Sequence, residues 1–203
     1  MKIYTRTGDD GTTGLLFGGR VPKDSAVIAA NGAVDEAQAA LGMVRAEVER
    51  GSELDSLLVG LERDLYVLMA EVATAAENRR KLKPGVSLVT ADMVGALESR
   101  IDELSGRFPP ITDFVIPGHD RVSASLDLAR TATRRAERAA LQVFPPRNAP
   151  DEPGAATGPG APAGTEPSLV VQYLNRLSDL LWTMARWQEH GDSLLSRKAQ
   201  SQS

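Results

Sequence analysis

The sequence predicts an all-α protein, a five-helix bundle preceded by an ordered Gly/Thr-rich N-terminal loop. Two observations predict it: five long stretches carry apolar residues at alternating spacings of three and four, and none reads convincingly as an alternating strand. Residues 1–24 begin the chain with five glycines between Gly8 and Gly19, interleaved with threonine and aspartate and poor in apolar side chains. That composition reads as a loop needing something to organise it. From Val27 the pattern changes, and Val27, Ala30, Val34, Ala37, Leu41, Val44 and Val48 lay one apolar stripe along a helix that Asp24 or Ser25 can cap.

A second helix is expected from Leu54 to about Glu77, buried through Leu57, Leu58, Leu61, Leu65, Leu68, Met69 and Val72, until Pro84 and Gly85 interrupt. Ser87 or Thr90 can open a third, which carries Met93, Val94, Leu97, Ile101 and Leu104 and stops before Pro109-Pro110. The fourth is expected from about Asp120 to Val143, with Ala129, Ala132, Ala136, Ala139 and Ala140 allowing close approach of a neighbour and arginine filling its other face. The fifth covers roughly Ser168 to His190. Between the last two, Pro145 to Pro167 holds seven of the twelve prolines and four glycines, too little apolar surface to offset the entropy of ordering. The expectation is one domain over residues 1–192, with 145–167 a disordered insert and 193–203 a polar, fraying tail.

With 203 residues, 42% hydrophobic and 25% charged, the chain is long enough to bury a core. The net charge of −4 gives no general attraction for nucleic acid or an anionic membrane, so an anion site must be local. The absence of cysteine removes disulfides, thiolate nucleophiles and Cys-based metal sites, and agrees with a reducing, cytoplasmic setting. No apolar run approaches a membrane span, and Met1-Lys2-Ile3-Tyr4 lacks the apolar stretch of a secretion signal.

Three constellations can carry chemistry. Thr5-Arg6-Thr7-Gly8-Asp9-Asp10-Gly11-Thr12-Thr13-Gly14 combines turning glycines, hydroxyl and guanidinium donors, and carboxylates able to hold Mg²⁺ or its waters, which suits a polyphosphate. It also reads as a flexible glycine-rich terminus, and Lys23 by itself as a surface charge. It is neither a P-loop nor a GxGxxG motif. In the second, Arg130, Arg134 and Arg138 stack along one side of a helix with Arg135 beside them, and Glu137 is spaced to hold the Arg134 guanidinium. A phosphate chain would relieve their mutual repulsion; a solvated, salt-bridged face is the other reading. RNA binding by these arginines is disfavoured by net acidity and the scarcity of aromatics near them.

The third is Asn175 in Tyr173-Leu174-Asn175-Arg176-Leu177-Ser178-Asp179, an amide within a leucine-rich pattern that either grips a nucleotide or satisfies a neighbouring backbone group. Asp35 on the first helix wants an arginine partner, with Arg130 a candidate. The only histidines, His119 and His190, belong to no Glu-x-x-His unit, and GxSxG is absent, which sets aside di-iron and Ser-His-Asp chemistry.

Taken together and in this order, KIYTRTGDDGTTGLL, GGRVPKD, VDEAQAALG, FVIPG, RRAER and YLNRLSDLLW resemble the signatures of the PduO-type ATP:cob(I)alamin adenosyltransferases. The resemblance covers nearly all the chain except the Pro/Gly insert and the tail. It implies a five-helix bundle forming a homotrimer, with ATP bound between adjacent subunits. Thr5, Arg6, Thr7, Gly8, Thr13, Gly14 and Lys23 would surround the ATP together with Arg134, Arg135, Glu137, Arg138 and Asn175. Asp35 and Arg130 would form a salt bridge across the subunit boundary, and Phe114 and Trp182 would lie against the corrinoid. Asn31 stands where the family usually has an aromatic, Gln38 where it often has asparagine, and His119 where a second glycine is frequent.

The implied reaction moves the 5′-deoxyadenosyl group of ATP to cobalt, giving adenosylcobalamin and triphosphate, with Mg²⁺ arriving chiefly on the ATP phosphates. Cob(I)alamin is already a strong nucleophile, so no side chain need act as general base. Arg134, with Asp35, Arg130 and Phe114, would carry the catalytic work, Phe114 as a wedge that displaces the corrinoid's lower axial base and eases reduction of Co(II). A corrinoid reductase and an adenosylcobalamin-dependent enzyme are the implied partners. A non-catalytic bundle that binds ATP and corrinoid as sensor or carrier is the alternative.

Overall fold

The computed structural model describes residues 3–145 and 167–196. In chain order the elements are β1 (Thr12–Gly14), β2 (Arg20–Pro22), α1 (Ala26–Glu47), α2 (Glu53–Val72), a 3₁₀ segment (Ala76–Lys81), α3 (Ala91–Ser105), α4 (Arg121–Ala140) and α5 (Val170–Gln188). Five helices were expected and five α-helices are found. The N-terminal loop is ordered, as expected, and it adds an unexpected short antiparallel hairpin in which Thr12 pairs with Pro22, Thr13 with Val21 and Gly14 with Arg20. Residues 146–166, nearly the whole Pro/Gly insert, lie outside the described residues.

The helices share one core. Helix α4 packs along both α1 and α5, α2 leans on α1, and α3 on α5. Leu41, Leu58, Leu65, Leu126, Leu174, Leu177 and Leu181 are fully enclosed, and each contributes on the order of 1.5–3 kcal/mol by leaving water. Beyond Leu126, the apolar buried residues of α4 are all small, Ala129, Ala132, Ala136 and Ala140, so the neighbouring backbones can approach closely there.

Local chemistry sets the helix starts. Ser52 Oγ accepts from Asp55 N–H at 3.1 Å and Thr90 Oγ1 from Met93 N–H at 3.3 Å. Asp120 accepts from Ser123 N–H at 2.8 Å while Ser123 Oγ accepts from Asp120 N–H at 3.2 Å, a complete capping box. Helix α1 departs from expectation: Ser25 stands at the cap position, but its hydroxyl makes no cap bond and is buried without a partner among the described residues.

Helix α2 ends at Val72, short of the expected Glu77, because Glu71 gathers the next segments onto itself. This fully buried carboxylate accepts from Arg79 at 2.7 Å, Val89 N–H at 2.8 Å and Ser168 Oγ at 2.7 Å. Arg79 also lies 5.4 Å from the Phe144 ring centre. Phe144 and Ser168, the residues flanking the insert, are therefore both tied to the Arg79–Glu71 pair.

Tyr173 O–H donates to Asp64 Oδ2 at 2.9 Å and links α5 to α2. Burial raises the Asp64 carboxyl above its usual range against the opposing effect of that hydrogen bond, and burial, then the Asp64 charge, holds the Tyr173 hydroxyl well above its own. Because the folded-state value of Asp64 exceeds the unfolded one, its contribution is most favourable below about pH 4 and is lost as pH rises through the raised value. Asp64→Asn keeps an acceptor for Tyr173 without a half-buried charge. Thermal unfolding is expected to place it at or above the parent at pH 7, the advantage shrinking as pH falls; a large loss at pH 7 would contradict this.

Candidate functional site

The hairpin is held by a residue that sequence reasoning passed over. The Arg20 guanidinium donates to Thr7 O at 2.6 Å, to Thr12 O at 3.3 Å, and to Thr12 Oγ1 through Nε at 2.9 Å and Nη2 at 2.6 Å. Asp10 accepts from Thr12 N–H at 2.9 Å and Thr12 Oγ1 at 2.8 Å, with Arg20 3.6 Å away. The Thr12 bonds, with Arg20, hold the Asp10 carboxyl below the usual carboxylate range. Asp10 is thus engaged in building the loop, whereas Asp9 is exposed and makes no ion pair among the described residues.

Within this frame Thr5 and Thr7 share a 2.6 Å hydrogen bond, Arg6 has a positive φ of 61° and stacks on Tyr4, and Thr13 and Gly14 lie in β1. Lys23 folds back over Gly8: a Cβ at Gly8 would fall 3.0 Å from Lys23 Nζ and 3.2 Å from Thr12 O, so only glycine leaves the ammonium undisturbed there. The hairpin turn docks on the far end of α2 through Leu16 N–H to Ala73 O at 2.8 Å, with Lys81 over the Phe17 ring.

On α4, burial of the alanines turns Arg134, Arg135 and Arg138 to the exposed side. Arg135 pairs with Glu36 of α1, while Arg134 and Arg138 have no carboxylate partner among the described residues. Glu137 does not hold Arg134 as the spacing suggested. It turns to α5 and accepts from Asn175 Nδ2 at 3.0 Å, while Asn175 Oδ1 accepts from Arg176 at 2.7 Å and Arg176 Nε donates to Glu98 at 2.8 Å. Side chains, not backbone groups, therefore orient the Asn175 amide.

Asp35 is exposed and unpaired among the described residues, and Arg130 Nε donates to Asp127 at 3.0 Å, so these two do not pair within one chain. Asn31 Oδ1 and Gln38 Oε1, on the same side of α1 as Asp35, are buried without donors among the described residues. Phe114 projects from the loop between α3 and α4 with 82% of its surface exposed. Trp182 is half-buried on α5, edge-on to Phe108 at 6.5 Å and 5.7 Å from the Arg186 guanidinium. His119 is exposed on the loop before α4.

The structure thus brings Glu137 and Asn175 into contact and gathers Thr5, Thr7, Gly8 and Lys23 in one loop. Within one chain it joins neither the loop to Arg134 or Arg138 by any hydrogen bond or ion pair among the described residues, nor Asp35 to Arg130. Besides Arg20, the sequence reading missed Asp127, Arg186 and Glu189, whose signal was a set of charged residues within apolar helical patterns. The described residues contain no cluster of three or more His, Cys, Asp or Glu side chains able to hold a metal.

A family model described as cobalamin adenosyltransferase matches residues 3–188. The chain belongs to that family. It is 37% identical over 188 residues to a corrinoid adenosyltransferase of Citrobacter freundii, covering 93% of this chain and 95% of that one. It is 34% identical to the longer corrinoid adenosyltransferase PduO of the same organism, matching 94% of this chain and 50% of the relative. Among solved structures, a variant PduO-type ATP:corrinoid adenosyltransferase from Lactobacillus reuteri complexed with cobalamin and ATP superposes with a TM-score of 0.77 at 25% identity, covering 98% of each chain.

Arg20→Ala removes the fork that spans the loop but touches no core residue. It is expected to leave the unfolding temperature within a few degrees while speeding amide exchange across residues 7–12, since each lost bond is worth only about 1 kcal/mol. Unchanged exchange there would show that the loop does not depend on Arg20.

Proposed function

We propose that this chain is an ATP:corrinoid adenosyltransferase: it transfers the 5′-deoxyadenosyl group of ATP to the cobalt of cob(I)alamin, releasing triphosphate. The observation that carries the reading is the pair of unneutralised guanidiniums on α4, Arg134 and Arg138, in a chain whose N-terminal loop is independently built as a donor-rich, glycine-lined cradle. Both are suited to the same polyanion.

In this reading Thr5, Arg6, Thr7, Gly8, Thr13, Gly14 and Lys23 hold the nucleotide from one side, and Arg134, Arg135, Arg138 and the oriented Asn175 from the other. The sites lie between subunits of a homotrimer, each cradle meeting α4 of a neighbour, and Asp35 and Arg130 of adjacent subunits close the boundary. The exposed, unpaired Asp35 supports that arrangement. The fit of Mg²⁺ is that of a phosphate-borne ion, with Asp9 the open carboxylate beside the cradle. Bound there, Mg²⁺ would supply charge neutralisation to the phosphates. We take the catalytic unit to be one helical-bundle domain over residues 1–192. No helix among the described residues is long and apolar enough to cross a membrane, and we place the protein in the cytoplasm, supplied by a corrinoid reductase and delivering to an adenosylcobalamin-dependent enzyme.

The chemistry asks the protein for alignment and charge stabilisation. The cobalt electron pair forms the Co–C bond at the ribose 5′ carbon as the C–O bond to triphosphate breaks, and the bond pair leaves on the triphosphate oxygen. Arg134, Arg138, Lys23 and the loop amides would stabilise that charge, and the cradle would fix the in-line angle. Phe114 would press on the corrinoid's lower face, with Trp182 supporting it, so that the axial base cannot return.

The decisive assay mixes protein, Mg-ATP, cobalamin and a strong reductant and follows the cobalamin spectrum together with triphosphate release; ATP binding without Co–C bond formation would reject the enzyme reading. Arg134→Ala is expected to cost about 2–4 kcal/mol of transition-state stabilisation, roughly 30- to 1,000-fold in kcat/KM. Phe114→Ala should still bind ATP and lose activity mainly when the assay starts from Co(II). Equal loss with prereduced Co(I) would reject the wedge.

A further inference from the structure

The residues after α5 were expected to fray, and those that are described do not. His190 at φ +51° and Gly191 at φ +92° take the left-handed region and turn the chain back at the helix end. A Cβ at Gly191 would lie 3.1 Å from Pro109 Cδ, so the turn packs against the start of the Phe114 loop. Beyond it, Leu194 O accepts from Ile116 N–H at 2.8 Å and Ser196 N–H donates to Phe114 O at 2.7 Å, forming an antiparallel bridge between Val115 and Leu195. Ser196 Oγ also donates to Asp113 at 3.3 Å. Phe114 itself gains almost nothing from burial, so its position must come from its backbone.

The returning segment is fastened from inside. Ser193 Oγ donates to Glu189 Oε2. Glu189 Oε1 and Asp127 Oδ2 both accept from Arg186 Nη2, at 2.8 and 2.7 Å, and the other Asp127 oxygen accepts from Arg130 at 3.0 Å. Arg186 and Glu189 are each 1% exposed, and the four side chains balance to zero charge. Loss of one member would leave a buried charge uncompensated, so the cluster tolerates little rearrangement. Its Arg186 also lies against Trp182. One continuous set of contacts therefore runs from Arg130 on α4, past Trp182, to the segment that pairs with the Phe114 loop.

We propose that Ser193–Ser196 is a clasp that fixes the Phe114 loop, and that Glu189 and Ser193 are positioning residues anchoring this clasp to the Asp127–Arg186 ion cluster. The proposal rests on the wedge role given to Phe114. A side chain that must displace an axial base has to resist being pushed aside. Two backbone bonds from an anchored segment provide that resistance where an exposed loop alone would yield.

The test uses full-length Ser196→Pro, which deletes the N–H given to Phe114 O next to an already extended residue, with Ser193→Ala and its conservative counterpart Ser193→Thr. Amide exchange in the ligand-free protein should show faster exchange at Ile116 in the proline and alanine variants and parent-like protection in the threonine variant. Turnover from Co(II) should fall about 10- to 100-fold, as expected for misplacement of a reacting group's support. Turnover from prereduced Co(I) and the KM for ATP should stay close to the parent. The spectroscopic signature of four-coordinate Co(II) should weaken in step. Phe114→Ala is run alongside. If it lacks a Co(II)-selective defect, the wedge reading fails and the proposal falls with it. If Phe114→Ala shows that defect but Ser196→Pro behaves as the parent, or loses both turnovers equally, the wedge stands and the clasp is overturned.

Discussion

Helix α4 can lie close between α1 and α5 because, beyond Leu126, its inward line is mostly alanine. Larger side chains at Ala129, Ala132, Ala136 and Ala140 would push the neighbouring helices apart. That single packing constraint decides the orientation of everything else on the helix. With the small face inside, Arg134, Arg135 and Arg138 must face outward, Glu137 is left at the edge where it meets Asn175 of α5, and Asp127 is drawn under the surface where Arg130 and Arg186 find it. The cationic surface is thus a consequence of core packing, and its open charge belongs to the fold's geometry before any ligand arrives.

The helices were legible because their stripes are long and their breaks are marked by proline and glycine; Thr90 and Asp120 cap where their residue types suggest. What the pattern did not carry were tertiary captures. Nothing local announces that Glu71 will draw in Arg79, Val89 and Ser168 and stop α2 at Val72, or that Leu194 and Ser196 will pair with the Phe114 loop. The hairpin escaped notice because each strand has only three residues, too few for an alternation to register. The candidate site was readable as residue types but not as partners: Glu137 was spaced for Arg134, yet Asn175 across the helix interface holds it. Arg20 was visible only as a charge in a glycine-rich stretch, since its acceptors are backbone oxygens.

Two electrostatic regimes coexist in the chain. The Arg130, Asp127, Arg186 and Glu189 group is compensated and largely sealed, a device that fixes geometry at a desolvation cost. Arg134, Arg138 and Lys23 are left open to solvent or ligand, where a triphosphate can neutralise them. The first regime ties Trp182 and the segment paired with the Phe114 loop to the helices; in the proposed mechanism the second meets the leaving triphosphate.

Within one chain the cradle is docked on the α2 end, and among the described residues no hydrogen bond or ion pair joins it to Arg134 or Arg138 of α4, so the proposed site takes its two halves from different copies. Subunit complementation tests this most directly. A cradle-defective chain, Lys23→Ala combined with Thr7→Ala, is mixed with an Arg134→Ala chain under conditions that exchange subunits, and adenosyl transfer is measured. Random reassembly of a cyclic oligomer should restore roughly a quarter of the parent activity, because about one boundary in four then pairs an intact cradle with an intact α4. Mixtures that remain as inactive as either variant alone, despite verified exchange, would contradict the shared site.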